Sequence, residues 1–178
     1  NQKEFQLSWD NPKLEIKKCQ LTNGLGVFAK RNMKRGEILT IYGGYIMTKE
    51  QLKLLPKKLQ HFPYHISDEL LFGPVHHKQV SLGECYNHSC NPNAGFRDHL
   101  TLVAMKNIRT GEQVTFDYAI CMTTGILSLN CICGSKNCRR KIRGTDWKIP
   151  ELQKKYKGYF QPYIWEKIKN NLYKKKNQ

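Results

Sequence analysis

The sequence predicts a mostly β fold with a few short helices, and three observations predict it. Turn-forming pairs recur through the first 120 residues, at Asn23-Gly24, Arg35-Gly36, Gly43-Gly44, Gly73-Pro74, Asn91-Pro92 and Thr110-Gly111. The apolar runs between them, at 27–29, 38–42, 100–104 and 113–116, are too short for helices. Helical patterning is confined to one stretch beginning at Thr48 and to the region after Pro150.

The elements follow in order. Leu14 and Ile16 alternate with charged residues, as a half-buried strand does. The short runs listed above continue a set of small sheets. Thr48-Lys49-Glu50-Gln51 has the form of a capping box, so a helix starts there, with Leu52, Leu55 and Leu59 along one face. Pro56 kinks or ends it, because proline has no N–H and its ring clashes with the preceding turn. A second helical region runs from Pro150, interrupted by Gly158 and Pro162. Ile164, Trp165, Ile168 and Leu172 then mark an amphipathic final helix. The chain divides into a lead-in at 1–13, a β-rich domain at 14–120, a cysteine-bearing segment at 121–145 and a basic helical appendage at 146–178.

The chain has 178 residues, enough for one domain with an appendage. No apolar run approaches the ~20 residues that span a bilayer, so no membrane association is expected. The first residues lack the apolar core of a signal peptide. The net charge of +16 is uneven: the middle third carries 4 Lys/Arg against 6 Asp/Glu, while the last third carries 14 against 3. Such a basic excess suits a polyanionic partner, and it equally suits solvated helix faces.

Seven cysteines are present, and three of them fall in Cys131-Ile132-Cys133-Gly134-Ser135-Lys136-Asn137-Cys138. This clustering favours metal binding over a disulfide framework. A structural zinc takes four ligands in a tetrahedron, so the loop is one thiolate short. Cys90, in Asn87-His88-Ser89-Cys90-Asn91-Pro92-Asn93, is the best candidate for the fourth; Cys121 or a histidine would be the alternatives.

These segments together resemble SET-domain lysine methyltransferases over roughly residues 14–143. Gly24-Leu25-Gly26 looks like the family's GxG motif, and Ile41-Tyr42-Gly43-Gly44 like its YxG strand. Residues 87–93 and Gly111-Glu112-Gln113-Val114-Thr115-Phe116-Asp117-Tyr118 match its two signatures, and 131–138 looks like its post-SET zinc segment. The resemblance implies several small sheets with a pseudoknot-like crossing, S-adenosylmethionine as methyl donor with S-adenosylhomocysteine as product, and one structural zinc on Cys90, Cys131, Cys133 and Cys138. Two positions depart from the family pattern. Tyr45 stands where the family often has Glu, and Gly83-Glu84-Cys85-Tyr86 lacks the common Arg-Phe pair.

The implied chemistry is displacement of a thioether by a neutral lysine amine. No acid is needed for the leaving group, so alignment and a dry channel that lowers the amine's pKa are the requirements. By resemblance Tyr118 orients the amine, with Phe116 and Tyr42 beside it in the catalytic set, and Tyr64 as a further channel candidate. Gly24, Leu25, Gly26, Asn87, His88, Tyr118, Ile132 and Ile142 hold the donor: Asn87 at its amino-acid end, the His88 backbone at the adenine edge, Ile142 over the adenine. A Phe rather than a Tyr at 116 implies methylation beyond the first methyl group.

The expected substrate is a basic peptide such as a histone tail, attracted by Asp68, Glu69, Glu84 and Asp98, with Lys154, Lys155, Lys157, Lys167, Lys169 and 174–176 touching nucleosomal DNA. Tyr156, Tyr159, Phe160 and Tyr163 interleave with these lysines and are expected to pack the appendage. A monomer is expected. The location follows the substrate: chromatin, including a host's nucleus if the source is bacterial, or otherwise the cytoplasm. Two other classes compete, an inactive SET-like binding module and a small basic zinc protein that binds nucleic acid. Retention of Tyr118 and Asn87 argues against the first, and the lack of a paired CxxC finger against the second.

Overall fold

The computed structural model describes residues 7–19, 24–123 and 128–176, with side chains as far as 171. The chain folds into small sheets of very short strands. The first sheet has the order β1 (Trp9–Asp10), β4 (Ile38–Ile41), β10 (Thr101–Ala104) and β9 (Ala94–Phe96), all antiparallel. The second has the order β2 (Leu14–Cys19), β3 (Gly24–Ala29), β11 (Gln113–Phe116) and β8 (Asn87–His88). Its last pair is parallel, with Thr115 beside Asn87 and Phe116 beside His88. Between β8 and β11 the chain leaves this sheet, builds β9 and β10 in the other, and returns. That excursion links the two sheets through one continuous stretch of chain.

A third sheet, β5 (Tyr45–Thr48), β7 (Leu70–Gly73) and β6 (Tyr64–His65), has no counterpart among the strands the sequence suggested. A hairpin of β12 (Ser128–Asn130) and β13 (Lys141–Arg143) frames the cysteine loop. Gly36 and Gly111 take positive φ at 83° and 85°, the left-handed backbone their turns require.

Local chemistry sets the helices. Helix α1 (Lys49–Leu54) begins with the expected reciprocal cap between Thr48 and Gln51. It is shorter than the leucine spacing suggested: Pro56 stops it, it buries no residue, and Leu59 is buried from the turn beyond. Strand β2 also departs from simple alternation. It lies at a sheet edge, and of the two apolar residues on one face Leu14 is buried while Ile16 is 42% exposed. Pro150 and Pro162 open helices α2 (Pro150–Lys155) and α3 (Pro162–Lys176), and Gly158 breaks them apart at φ 83°.

The C-terminal region shares the main core. Trp147, Leu152, Tyr156, Phe160, Ile164 and Ile168 belong to the same buried cluster as Val27, Leu39, Phe96 and Ile120. Phe96 N–H donates to the Tyr159 carbonyl at 3.0 Å, and Gln161 N–H donates to the Ile120 carbonyl at 3.0 Å. The aromatic residues between the lysines therefore pack, as expected. Among the described residues, no helix is long and apolar enough to cross a membrane.

Candidate active site

Asn93 fastens the two signature segments together. Its side chain donates to the Gln113 carbonyl and accepts from Thr115 N–H, both at 2.9 Å. Ser89 N–H adds a bond to the Phe116 carbonyl at 3.1 Å. Directly after β11, a single 3-10 turn over Tyr118–Ile120 is capped by Asp117, whose Oδ1 accepts from Ala119 N–H at 3.0 Å. The parallel pair thus delivers Asn87, His88 and Tyr118 to one place.

The same crossing brings Cys90 to the cysteine loop. The sulfurs of Cys90, Cys131, Cys133 and Cys138 all lie within 4.8 Å of one another. Backbone N–H groups point at these sulfurs: Arg139 N–H at Cys90 Sγ (3.3 Å) and Cys90 N–H at Cys133 Sγ (3.5 Å). Donors aimed at sulfur suit thiolates holding a metal ion, and four thiolates in this spacing fit zinc. Cys121, an alternative fourth ligand, is buried elsewhere, against the Tyr118 carbonyl.

Tyr118 is held on three sides. Its hydroxyl donates to the Tyr86 carbonyl at 3.2 Å, and its N–H donates to His88 Nδ1 at 3.2 Å. The His88 ring stands edge-on to it at 5.2 Å. Burial pushes the phenol up to about 12, so it remains a neutral hydrogen-bonding group. Burial pushes His88 down to about 4, so its ring is neutral and its contact with Asp117 at 3.6 Å is no ion pair. With Nδ1 accepting, the ring proton falls on Nε2, which lies 3.3 Å from Cys90 Sγ. Tyr86 ends the segment Gly83-Glu84-Cys85-Tyr86 that precedes Asn87. It is buried, and its hydroxyl bonds Thr40 at 3.0 Å.

Asp117 is fully buried and charged. Burial pushes its carboxyl up, but Arg139 overcomes this with two hydrogen bonds, at 2.6 and 2.7 Å, and holds it below the ordinary carboxylate range. Arg139 also donates to Asp146 at 3.0 Å, and the Tyr156 hydroxyl donates to Asp117 at 3.0 Å. The sequence reading missed this network. The only available signal was an Arg directly after Cys138, and nothing in the spacing ties it to a carboxylate 22 positions earlier.

Two clefts flank Tyr118. One, of about 390 Å³, is lined by Asn87, His88, Gln113, Leu129, Ile132 and Ile142 among others. Gly26 opens it: a Cβ there would lie 2.5 Å from Gln113 Nε2 and 2.9 Å from Asn87 Nδ2. Asn87 in turn donates to the Leu25 carbonyl at 2.8 Å. Apolar Leu25 and Ile132 are 54% and 57% exposed, whereas Ile142 is buried beneath. A polar end beside Asn87 and an apolar end beside the hairpin fit a zwitterion joined to an adenine. Gly24 lies at the start of β3, across from Cys19.

The second cleft, of about 320 Å³, is lined by Tyr42, Tyr64, Phe72, Phe96, Phe116 and Tyr118 with others. Tyr42 meets Tyr64 edge-on at 5.7 Å, and its hydroxyl donates to the Gly83 carbonyl at 3.0 Å. Tyr42 is therefore both a core residue and part of the cleft wall. Tyr118 and Leu129 line both clefts.

The acidic residues expected to attract a basic peptide are mostly occupied. Asp68 is bonded by Lys167 and Tyr163, Glu69 pairs with Lys49, and Asp98 pairs with Arg97. Glu84 alone lines the aromatic cleft, where burial raises its pKa.

Comparison with known proteins agrees with this geometry. A family model described as the SET domain matches residues 24–119. Human histone-lysine N-methyltransferase 2B is 29% identical over 130 residues, covering 66% of this chain and 5% of that protein. The Plasmodium falciparum variant-silencing SET domain-containing protein is 30% identical over 143 residues, covering 70% and 5%. An H3 lysine-36 specific histone-lysine N-methyltransferase of Candida albicans is 29% identical over 133 residues, covering 68% and 16%. The chain thus spans a small part of these relatives' length. Among solved structures, Arabidopsis thaliana SUVH6 in complex with SAM superposes with a TM-score of 0.61 at 19% identity, covering 72% of this chain and 32% of that one.

Proposed function

Because the chain belongs to the SET-domain family, we propose that it transfers a methyl group from S-adenosylmethionine to a lysine side chain. The observation that carries this reading is the position of Tyr118 between a polar-to-apolar cleft and an aromatic one. The donor, bound in the first cleft by Asn87, the His88 backbone, Gly24–Gly26, Ile132 and Ile142, supplies an electrophilic methyl on a sulfonium. The chain supplies the rest. Tyr42, Tyr64 and Phe116 exclude water from the second cleft, which lowers the pKa of an entering ammonium and favours the neutral amine. The Tyr118 phenol orients that amine. With its proton held up to about pH 12, it acts as a hydrogen-bonding group and not as a base. The zinc thiolates anchor the loop and hairpin that close the donor's cleft.

A histone tail is the proposed substrate, since the relatives' names are those of histone enzymes, and chromatin is the proposed place of action. With Phe116 beside Tyr118 the product extends beyond monomethyl-lysine. The inactive-module and nucleic-acid-binding alternatives are disfavoured because the Tyr118 hydroxyl, Asn87 and both clefts are present. The deciding experiment is radiolabelled methyl transfer to nucleosomes and histone peptides. Transfer is expected with the wild-type chain, with at least a hundredfold loss in Tyr118→Phe. Equal transfer by both would remove the assigned role of Tyr118.

A further inference from the structure

The C-terminal region reaches the site from behind. Lys155, the last residue of α2, donates from Nζ to the Cys90 carbonyl at 2.8 Å and lies 5.0 Å over the Tyr156 ring. Tyr156 is fully buried, with its hydroxyl 3.0 Å from Asp117 and 3.5 Å from the Cys90 carbonyl. Two consecutive residues therefore touch the residue before Tyr118 and the residue that contributes the fourth thiol. Both lie beyond the 24–119 match.

Asp117 gives these contacts their importance. A carboxylate has about four lone-pair sites. Arg139 takes two, Ala119 N–H takes one, and the Tyr156 hydroxyl takes the last. A buried carboxylate that loses a donor must shift toward another partner or take up a proton. Either change disturbs the turn that Asp117 caps, and Tyr118 is the first residue of that turn. At the thiol cluster, Lys155 donates to the carbonyl of Cys90, whose sulfur lies 3.3 Å from His88 Nε2.

We propose that Lys155 and Tyr156 are positioning residues: they fix Asp117 and Cys90, and through them hold Tyr118 and the zinc loop in register. The kinetic half of this rests on the methyltransferase reading, whereas the metal half rests on the thiol cluster alone. In Tyr156→Phe the ring and its packing are kept. Its kcat per zinc-loaded molecule should fall about tenfold, with KM for a histone peptide and the Kd for S-adenosylhomocysteine changed less than about twofold, because only the reacting geometry is loosened. In the double variant Lys155→Met, Tyr156→Phe, zinc release to a chromogenic chelator should be at least about fivefold faster, with the far-ultraviolet circular dichroism unchanged. A wild-type kcat in Tyr156→Phe, or wild-type zinc release in the double variant, overturns the proposal. If the wild-type chain transfers no methyl group, the functional reading fails and zinc release alone decides.

Discussion

Phe116 packs beside Tyr118 at 5.2 Å and Phe96 at 5.9 Å between ring centres, and it lines the aromatic cleft with them. A hydroxyl placed there would bring a water into space that a methylated amine needs. Phe116→Tyr should therefore shift the product toward monomethyl-lysine, read by mass spectrometry at long reaction times. Monomethyl product alone from the wild-type chain would refute the premise. Asp117 makes a different prediction. Its folded-state pKa is held below the unfolded value of about 3.9, so the folded state binds fewer protons. The stability it contributes is present above that value and disappears as pH falls through the folded pKa. Thermal denaturation should show a midpoint that drops below about pH 4, and Asp117→Asn should flatten that limb. At neutral pH the same substitution should cost about 3 kcal/mol, because the part-buried Arg139 loses the closer of its two carboxylate partners and keeps only Asp146.

Strand β3 shows at the level of elements how a missing side chain shapes a site. Gly26 faces Asn87 and Gln113 across a gap that one carbon would fill. Gln113 has a flexible side chain and can yield, whereas Asn87 is pinned to the Leu25 carbonyl. Gly26→Ala should weaken S-adenosylhomocysteine binding about tenfold by calorimetry, while the thermal midpoint falls by only a few degrees. Elements whose signals are local were legible in the sequence: the Thr48–Gln51 cap, the breaks at Gly158 and Pro162, and the cysteine loop. The third sheet was not, because strands of two to four residues such as Tyr64–His65 are too short to show a period. The Asp117–Arg139–Tyr156 network was hidden for another reason. Its members stand 22 and 39 positions from Asp117, and no pattern rule reaches across such distances. Of the residues named from the signature motifs, Asn87, His88, Tyr118, Ile132 and Ile142 line the first cleft and Tyr42, Phe116 and Tyr118 the second, whereas Gly24, Leu25 and Gly26 line neither, Gly26 only backing Asn87 and Gln113; Tyr42 is as much a core residue as a wall.

Charge is distributed unevenly over the whole molecule. Around the aromatic cleft, the acids Asp68, Glu69 and Asp98 are matched by Lys167, Lys49 and Arg97. The zinc segment differs: Lys136, Arg140, Lys141 and Arg143 are exposed, and Asp146, the nearest acid in sequence, is buried against Arg139. Of the lysines expected to touch DNA, Lys155 is bonded to the Cys90 carbonyl and Lys167 to Asp68, Lys169 pairs with Glu166, and the side chains of 174–176 lie outside the described residues. Lys154 and Lys157 remain exposed. If this face and the basic tail meet nucleosomal DNA at as few as three phosphates, affinity should fall about 40-fold between 50 and 200 mM salt. Electrophoretic mobility shifts across that range would measure it, and a flat response would exclude the contact.

The excursion between β8 and β11 also constrains how the molecule is made. Asn87 waits for Thr115, Cys90 for a loop 41 positions later, and Asp117 for Tyr156. Emerging from the ribosome one residue at a time, the nascent chain has no complete catalytic centre until α2 has been synthesised. The pairing of β8 with β11, the thiol cluster and the Asp117 contacts are all non-local, so each forms only after its later partner has left the ribosome.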